Sequence, residues 1–306
     1  NGTMQEAING LQADLRPGAL NGFGRAGSGP RRNGPDRIPS VRNAKEDNNR
    51  VILVVDIGNT NIKAAVFDGS RLVKRWRCAT DPAMTSDQYG IIMADLFRYH
   101  NLNMQAVEGI MISSVVPTIN YTIEHMCRDY FHLEPRLLVP GMKTGLNIRY
   151  ENPRELGSDR IANAVAVSTL YGGPSIFIDF GTATTYGVVS AKAEFLGGAI
   201  GPGLRMMNRA LSTGTAKLPS IELVLPPQVI GRTTVSNIQA GILYGYIGSV
   251  EKIVGQMKQE LSGENIRVIA TGGMAHLVKS NSDVIDEINP DLTLTGLRLI
   301  YERNIG

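Results

Sequence analysis

No uninterrupted apolar run in the 306 residues approaches the ~18–20 needed for a bilayer-spanning helix, which excludes a helical integral membrane protein. No basic stretch followed by an apolar core opens the chain, so no secretory signal is expected. Cysteine is scarce: Cys78 and Cys127 are too few for a disulfide scaffold and lack metal-ligand spacing. His100, His125, His132 and His276 are scattered and form no metal pattern. The phosphate-loop signature ending in Gly-Lys-Ser/Thr is absent, and Gly201-Pro202-Gly203 is not followed by the Gly-x-x-Gly of a dinucleotide fingerprint. Excess charge is missing too. Residues 51–306 hold 23 basic and 23 acidic side chains, so the net +3 belongs to residues 1–50 and the body carries no signal for nucleic-acid binding. A reducing, cytoplasmic location is the expectation, with no nucleic-acid or membrane partner.

What is present is an ordinary globular composition, 42% hydrophobic and 19% charged. At ~100–200 residues per domain, the length suggests two domains or one duplicated fold. Residues 1–50 contain eight Gly, four Pro and seven Asn, and Gly22–Pro39 has too little apolar surface to offset its ordering entropy. This segment reads as a disordered extension or linker, with a short helix over Gln5–Leu15.

From Val51 the pattern changes. Val51–Val55 reads as a strand buried on both faces, followed by strands at Ile62–Phe67 and Arg71–Cys78. The spacing predicts helices over Met84–Tyr99, Thr118–Tyr130 and Ser158–Tyr171, with strands at Gly109–Val115 and Arg136–Val139 between them. Then the opening recurs: Ser175–Ile178, a turn at Asp179-Phe180-Gly181-Thr182, and Thr185–Ser190. Both segments read strand, Asp-x-Gly-x(-x)-Thr turn, strand, with Asp56 and Asp179 separated by 123 residues. That period indicates a duplicated domain rather than a solenoid. Helices are predicted around Ile200–Leu211 and Val235–Glu260, and a strand at Ile266–Ala270 leads into Thr271-Gly272-Gly273. Alternating strands and helices make the chain α/β.

Four constellations carry chemistry. Asp56-Ile57-Gly58-Asn59-Thr60 presents a carboxylate at a strand end beside a glycine turn. Backbone N–H groups there can meet phosphate oxygens, and Asp56 can hold Mg²⁺ through water. Alone it reads as a hairpin turn, since Asp, Gly and Asn are common turn residues. Its repetition at Asp179–Thr185 favours a polyphosphate held between two related hairpins. The Gly272-Gly273 turn allows close approach of an adenosine, a weak signal by itself. At Tyr150–Arg160, Ser158 or Asp159 is either a helix cap or part of a substrate site. In the functional reading Asp159 accepts a hydroxyl proton while Arg160 binds a substrate carboxylate or the transferring phosphoryl group.

Eight motifs in one order over Val51–Gly306 resemble type III pantothenate kinase, a family of the acetate and sugar kinase, heat-shock chaperone and actin superfamily. They are Asp56–Lys63, Ser113–Pro117, Asn152–Ala166, Asp179–Tyr186, Gly197–Leu204, Thr213–Pro219, Ile230–Gly241 and Thr271–Gly273. The resemblance implies two ribonuclease H-like (actin-like ATPase) domains with the active site in the cleft between them. Residues 51–168 would carry the first phosphate loop and substrate segment, and residues 169–306 the second loop, adenosine segment and dimer contact. It implies ATP-dependent phosphorylation of the primary hydroxyl of pantothenate to 4'-phosphopantothenate, the first step of coenzyme A synthesis. Asp56, Ile57, Gly58, Asn59, Thr60, Asn61, Ile62 and Lys63 would form the first ATP loop, and Thr182 would contact ATP. Lys63 is given no catalytic role. Asp159 would be the proton acceptor, with Tyr150, Gly157, Ser158, Asp159 and Arg160 lining the pantothenate pocket. Thr234 would reach pantothenate near a homodimer interface. Asp179 would hold a monovalent cation, K⁺ or NH₄⁺, beside the Mg²⁺ that accompanies ATP. A sister kinase acting on a sugar or acetyl substrate would share the paired hairpins but not Tyr150 and Gly157–Arg160.

Overall fold

The first strand, β1 (Val51–Ile57), is apolar on both faces apart from Asp56 because both faces are covered. It leads through a tight turn into β2 (Asn61–Asp68), and Gly69 (φ 55) turns the chain into β3 (Arg71–Ala79). The computed structural model describes residues 50–261 and 265–305. The extension and the helix expected over Gln5–Leu15 therefore lie outside the described residues. Helix α1 (Ser86–Tyr99) opens with a reciprocal capping box between Thr85 and Gln88, then turns Tyr89, Met93 and Phe97 inward at helical spacing. Strand β4 (Gly109–Ser114) follows, then α2 (Asn120–Met126), β5 (Arg136–Leu137) and β6 (Asn147–Ile148). The helix expected over Thr118–Tyr130 is shorter as an α-helix. One π-helical turn over Cys127–Phe131 widens it, and His132 stops it in the left-handed conformation.

Helix α3 (Ser158–Leu170) opens the second half. It is followed by β7 (Ser175–Phe180), β8 (Ala183–Val189), β9 (Glu194–Gly197) and β10 (Ile200–Pro202). Then come α4 (Leu204–Gly214), α5 (Thr234–Leu261), β11 (Arg267–Gly272), α6 (Ala275–Lys279), β12 (Glu287–Ile288) and α7 (Leu292–Arg303). The helix expected from Ile200 begins only at Leu204, and Ile200–Pro202 pairs with β8 instead. Pro202 lacks a backbone donor and pushes Gly201 toward extended geometry, so the helix cannot start earlier.

The duplication is explicit in the topology. The first sheet runs β3-β2-β1-β4-β5; the second contains β9-β8-β7-β11-β12 in the same order, extended by β6 beside β9. In each sheet the first three strands are antiparallel and the last two run parallel to the first.

Period-two alternation gives each sheet two apolar faces. Leu53, Val55, Ile57, Ile110 and Ile112 pack with α1 and α2 side chains such as Phe97 and Ile123. The outer face of the second sheet, with Ile176, Ile178 and Phe180, meets Ile242, Leu243 and Val250 of α5. The third cluster joins Ile52, Val54 and Phe67 to Phe177, Val189 and Ile269 through α3 and α7, which lie between the sheets. These helices pass at backbone contact: a Cβ on Gly296 would sit 1.9 Å from the Ala162 carbonyl oxygen. The small side chain of Ala162 suits this close approach, and Ala162, Ala164 and Ala166 of α3 are all fully buried. No described helix is long and apolar enough to cross a membrane.

Candidate active site

Both hairpin aspartates fall near the carboxyl end of the first strand of their hairpin, β1 and β7, opposite a residue of the second. Asp56 faces Lys63 across β1–β2, and Asp179 faces Thr185 across β7–β8. Each turn is closed by its glycine: Gly58 N–H donates to Asn61 O and Gly181 N–H to Ala183 O, both at 3.1 Å. The second turn is one residue shorter. Ile57 and Ile62 are buried and anchor the first loop, whereas Asn59 and Thr60 at its tip are exposed. The tips meet: Thr60 Oγ1 lies 2.8 Å from Thr182 Oγ1. Just past the end of β3, Thr80 braces the first loop, donating N–H to Thr60 O and its hydroxyl to Gly58 O.

Asp56 is buried at 6% exposure, with Lys63 Nζ 3.6 Å from its Oδ2. Burial pushes the Asp56 carboxyl up and Asp179 adds to this, while Lys63 and the Ser113 hydroxyl oppose it. For Lys63, burial works toward a lower pKa, but the carboxylates of Asp179 and Asp56 outweigh it and hold the ammonium above its ordinary value.

Asp159 joins this pair from the first turn of α3. Its Oδ1 accepts a hydrogen bond from Arg160 N–H at 2.8 Å. Gly157 makes the bend possible, since a Cβ there would approach that same oxygen to 2.5 Å. Burial, then the charges of Asp56 and Asp179, raise the Asp159 pKa from 3.8 to about 6. A carboxylate so tuned is ionised at neutral pH yet a better proton acceptor than an ordinary aspartate.

Gly157 is itself the N-cap, without a side-chain bond, so neither Ser158 nor Asp159 caps the helix. The buried Ser158 hydroxyl lies 2.9 Å from Ser113 Oγ, accepts from Ser114 N–H and donates to Ser114 O. It fastens α3 to the end of β4, next to Asp56. Arg160 is 5% exposed; it donates to Tyr186 O at 3.2 Å, and its guanidinium lies 5.9 Å from the Tyr150 ring and 5.5 Å from that of Phe195. Its Nε has no hydrogen-bond partner among the described residues. Thr234, at the start of α5, is exposed and has no described bond to the aspartate cluster.

The donor set suits cations in a particular way. Among the described residues, no three Asp, Glu, His or Cys side chains form a closed metal cage. The buried Asp179 Oδ1 has no hydrogen-bond partner among the described residues. An open carboxylate pair that leaves most of the coordination sphere to water and phosphate suits Mg²⁺ better than an all-protein cage does. Beyond the Gly272-Gly273 turn, a hollow of about 580 Å³ opens beside Met274, Arg205 and Arg209.

Sequence reasoning missed three features: the Ser113–Ser158 tie, Arg77 directly across β2–β3 from Lys63, and the α3–α7 crossing. The first had a signal, because Ser113 and Ser158 both lie inside motifs noted in the sequence.

Comparison with known proteins agrees with this architecture. A conserved Baf family protein from Campylobacter jejuni is 21% identical, with 83% of this chain and 98% of that one covered at a TM-score of 0.52. Component A of (R)-2-hydroxyglutaryl-CoA dehydratase from Acidaminococcus fermentans is 13% identical, with 82% and 97% covered at a TM-score of 0.50. These likenesses establish the fold, the duplicated ribonuclease H-like arrangement of actin-like ATPases. A sequence model of type III pantothenate kinase matches residues 52–256, the stretch that carries both hairpins, Asp159 and the start of α5. On that match the chain belongs to the type III pantothenate kinase family.

Proposed function

We propose that this kinase transfers the terminal phosphoryl group of ATP to the primary hydroxyl of pantothenate, giving 4'-phosphopantothenate, with Asp159 as the proton acceptor. The observation that carries the reading is the convergence of Asp56, Asp159 and Asp179, from three different elements, closely enough that the first and last raise the pKa of the second. Membership of the family supplies the substrate and the place in coenzyme A synthesis.

Phosphoryl transfer asks mainly for positioning and charge neutralisation. The two glycine turns offer backbone donors to the phosphates, with Thr60 and Thr182 at their meeting point. Asp56 would hold, through water, the Mg²⁺ that enters with ATP, and Asp179, with its unpartnered oxygen, a monovalent cation. Such cations offset phosphate charge. The hollow beside Met274 would take the adenosine. Tyr150, Gly157, Ser158 and Arg160 would surround pantothenate: Arg160, buried and in no ion pair among the described residues, suits an anionic substrate group. Asp159 takes the proton as the hydroxyl attacks phosphorus.

A homodimer is part of the same reading. Ile200, Val224, Val229, Ile230 and Val235 of the second half are exposed, and Thr234 lies among them. A cytoplasmic site of action also belongs to it. The test is ADP release with Mg·ATP and either pantothenate or N-acetylglucosamine. Pantothenate-dependent release supports the reading; turnover of the amino sugar alone replaces it with a sister kinase.

A further inference from the structure

One row of residues crosses the first sheet perpendicular to its strands. Ser113 pairs with Asp56, Asp56 with Lys63 and Lys63 with Arg77, one residue from each of β4, β1, β2 and β3. The row runs from a hydroxyl through a carboxylate to two cations. In the second sheet the row through Asp179 holds Thr271, Asp179 and Thr185 and is continued by Ile200 of β10 rather than by β9, with no cation in it. The two halves of the duplication therefore differ at this edge in charge.

Arg77 owes its place to a bulge. Counted back from the Asp68–Arg71 pair at the turn, Lys63 should face Trp76. The register shifts between Val66 and Phe67, and Arg77 takes the position instead. Lys63 and Arg77 line a cleft of about 370 Å³ whose other wall includes Gly272 and Asp291. Asp291 is committed to Arg75. Lys63 is committed to Asp56. Arg77 is exposed and, among the described residues, has no hydrogen-bond or ion-pair partner. Two like charges side by side on adjacent strands repel, and an anion between them removes that cost. Three residues beyond Arg77, Thr80 is bonded to the first phosphate loop, so the guanidinium stands on a strand fixed to that loop.

We infer that Lys63 and Arg77 form a polyphosphate-binding edge, with Arg77 a donor-positioning residue that grips the phosphate chain of the nucleotide. This deepens the proposed kinase reading and rests on it for the identity of the donor. A planar guanidinium offers paired N–H donors that match phosphate oxygens, and neighbouring Lys63 adds a point charge.

The test uses inorganic tripolyphosphate as the probe, titrated calorimetrically into the full chain without pantothenate, beside steady-state kinetics. Arg77→Gln should weaken tripolyphosphate binding and raise KM for ATP by about tenfold to a hundredfold, the range of a lost charge-assisted hydrogen bond. kcat should change less than about threefold and KM for pantothenate should hold, as expected for loss of uniform donor binding. Arg77→Lys should recover part of the affinity. Arg71→Gln, on the same strand but paired with Asp68, is the control for general loss of charge and should change neither quantity. Equal tripolyphosphate affinity in wild type and Arg77→Gln, or no binding to wild type, overturns the inference. Arg77-dependent binding by a protein that does not phosphorylate pantothenate would sustain the anion edge and overturn the proposed substrate, so the two failures are distinct.

Discussion

Thr60 and Thr182 occupy the tips of two hairpins 122 residues apart in sequence, and their hydroxyl oxygens lie 2.8 Å from each other. The contact closes the two halves of the duplicated fold over the place where the phosphates are proposed to lie. If it helps hold the loops in register, the two residues must be energetically coupled. A double-mutant cycle with Thr60→Val and Thr182→Val should give a coupling of roughly 0.5–1.5 kcal/mol in chemical denaturation, the net value of one hydrogen bond. Each single variant should also raise KM for ATP. Strict additivity would mean that the hydroxyls touch without joining the loops.

Asp159 gives a pH prediction with two readouts. Its folded pKa of about 6 lies above the ordinary 3.8, so in that window the folded protein binds a proton that the unfolded chain has lost. Its contribution to stability therefore falls as pH rises from about 4 to 6, and the loss is complete above that. Asp159→Asn, which keeps the oxygen facing Arg160 N–H, should be more stable than wild type at pH 7, and this advantage should vanish near pH 4. Activity should run the other way. Wild-type kcat/KM should climb to a plateau above about pH 6 as Asp159 ionises, whereas the variant should lose ~10²–10⁴-fold in kcat. A variant with near-normal turnover would remove Asp159 from the base role.

Glycine positions make a geometric prediction. A Cβ on Gly272, at φ +92, would lie 2.6 Å from Asp179 Oδ1 and equally close to the Phe180 backbone. Gly272→Ala should cost roughly 1–3 kcal/mol of stability, the usual range for a strained backbone position. It should depress activity beyond that loss by displacing the Asp179 carboxylate. Gly296→Ala should destabilise by at least ~1–3 kcal/mol, since its contact is the Ala162 backbone rather than a movable side chain. Thermal denaturation of both variants decides this; unchanged melting temperatures would contradict the packing described.

Arg160 is held by one carbonyl and by cation–π approach to the Tyr150 and Phe195 rings. A lysine at this position keeps the charge but loses the planar contact. Arg160→Lys should raise KM for pantothenate about tenfold or more while KM for ATP stays within a factor of about three. A lower melting temperature with both constants unchanged would make Arg160 a structural residue only.

Much of this was legible in the sequence because it rests on local pattern. Apolar runs bounded by Asp-x-Gly turns give β1–β2 and β7–β8, and the recurrence of Asp56 at Asp179 gives the duplication before any contact is known. The pairing of Thr60 with Thr182 could be anticipated only as two hairpins facing one ligand. What escaped depends on register and on long-range packing. The bulge between Val66 and Phe67 has no sequence mark, yet it decides whether Trp76 or Arg77 stands beside Lys63. The strand at Ile200–Pro202 depends on β8 for its hydrogen bonds, a partner outside any local window, so spacing alone reads that stretch as helix. The burial that tunes Asp159 comes from elements spread over more than 120 residues, and no window of sequence contains it.

The most direct test is phosphorus-31 NMR of the 306-residue chain with pantothenate and Mg·ATP, in potassium and in sodium salt, beside Asp159→Asn. A new phosphomonoester resonance should appear that needs pantothenate, grows faster in potassium, and is nearly absent with the variant. A folded wild-type protein that forms no phosphomonoester from pantothenate in either salt would contradict the proposed reaction.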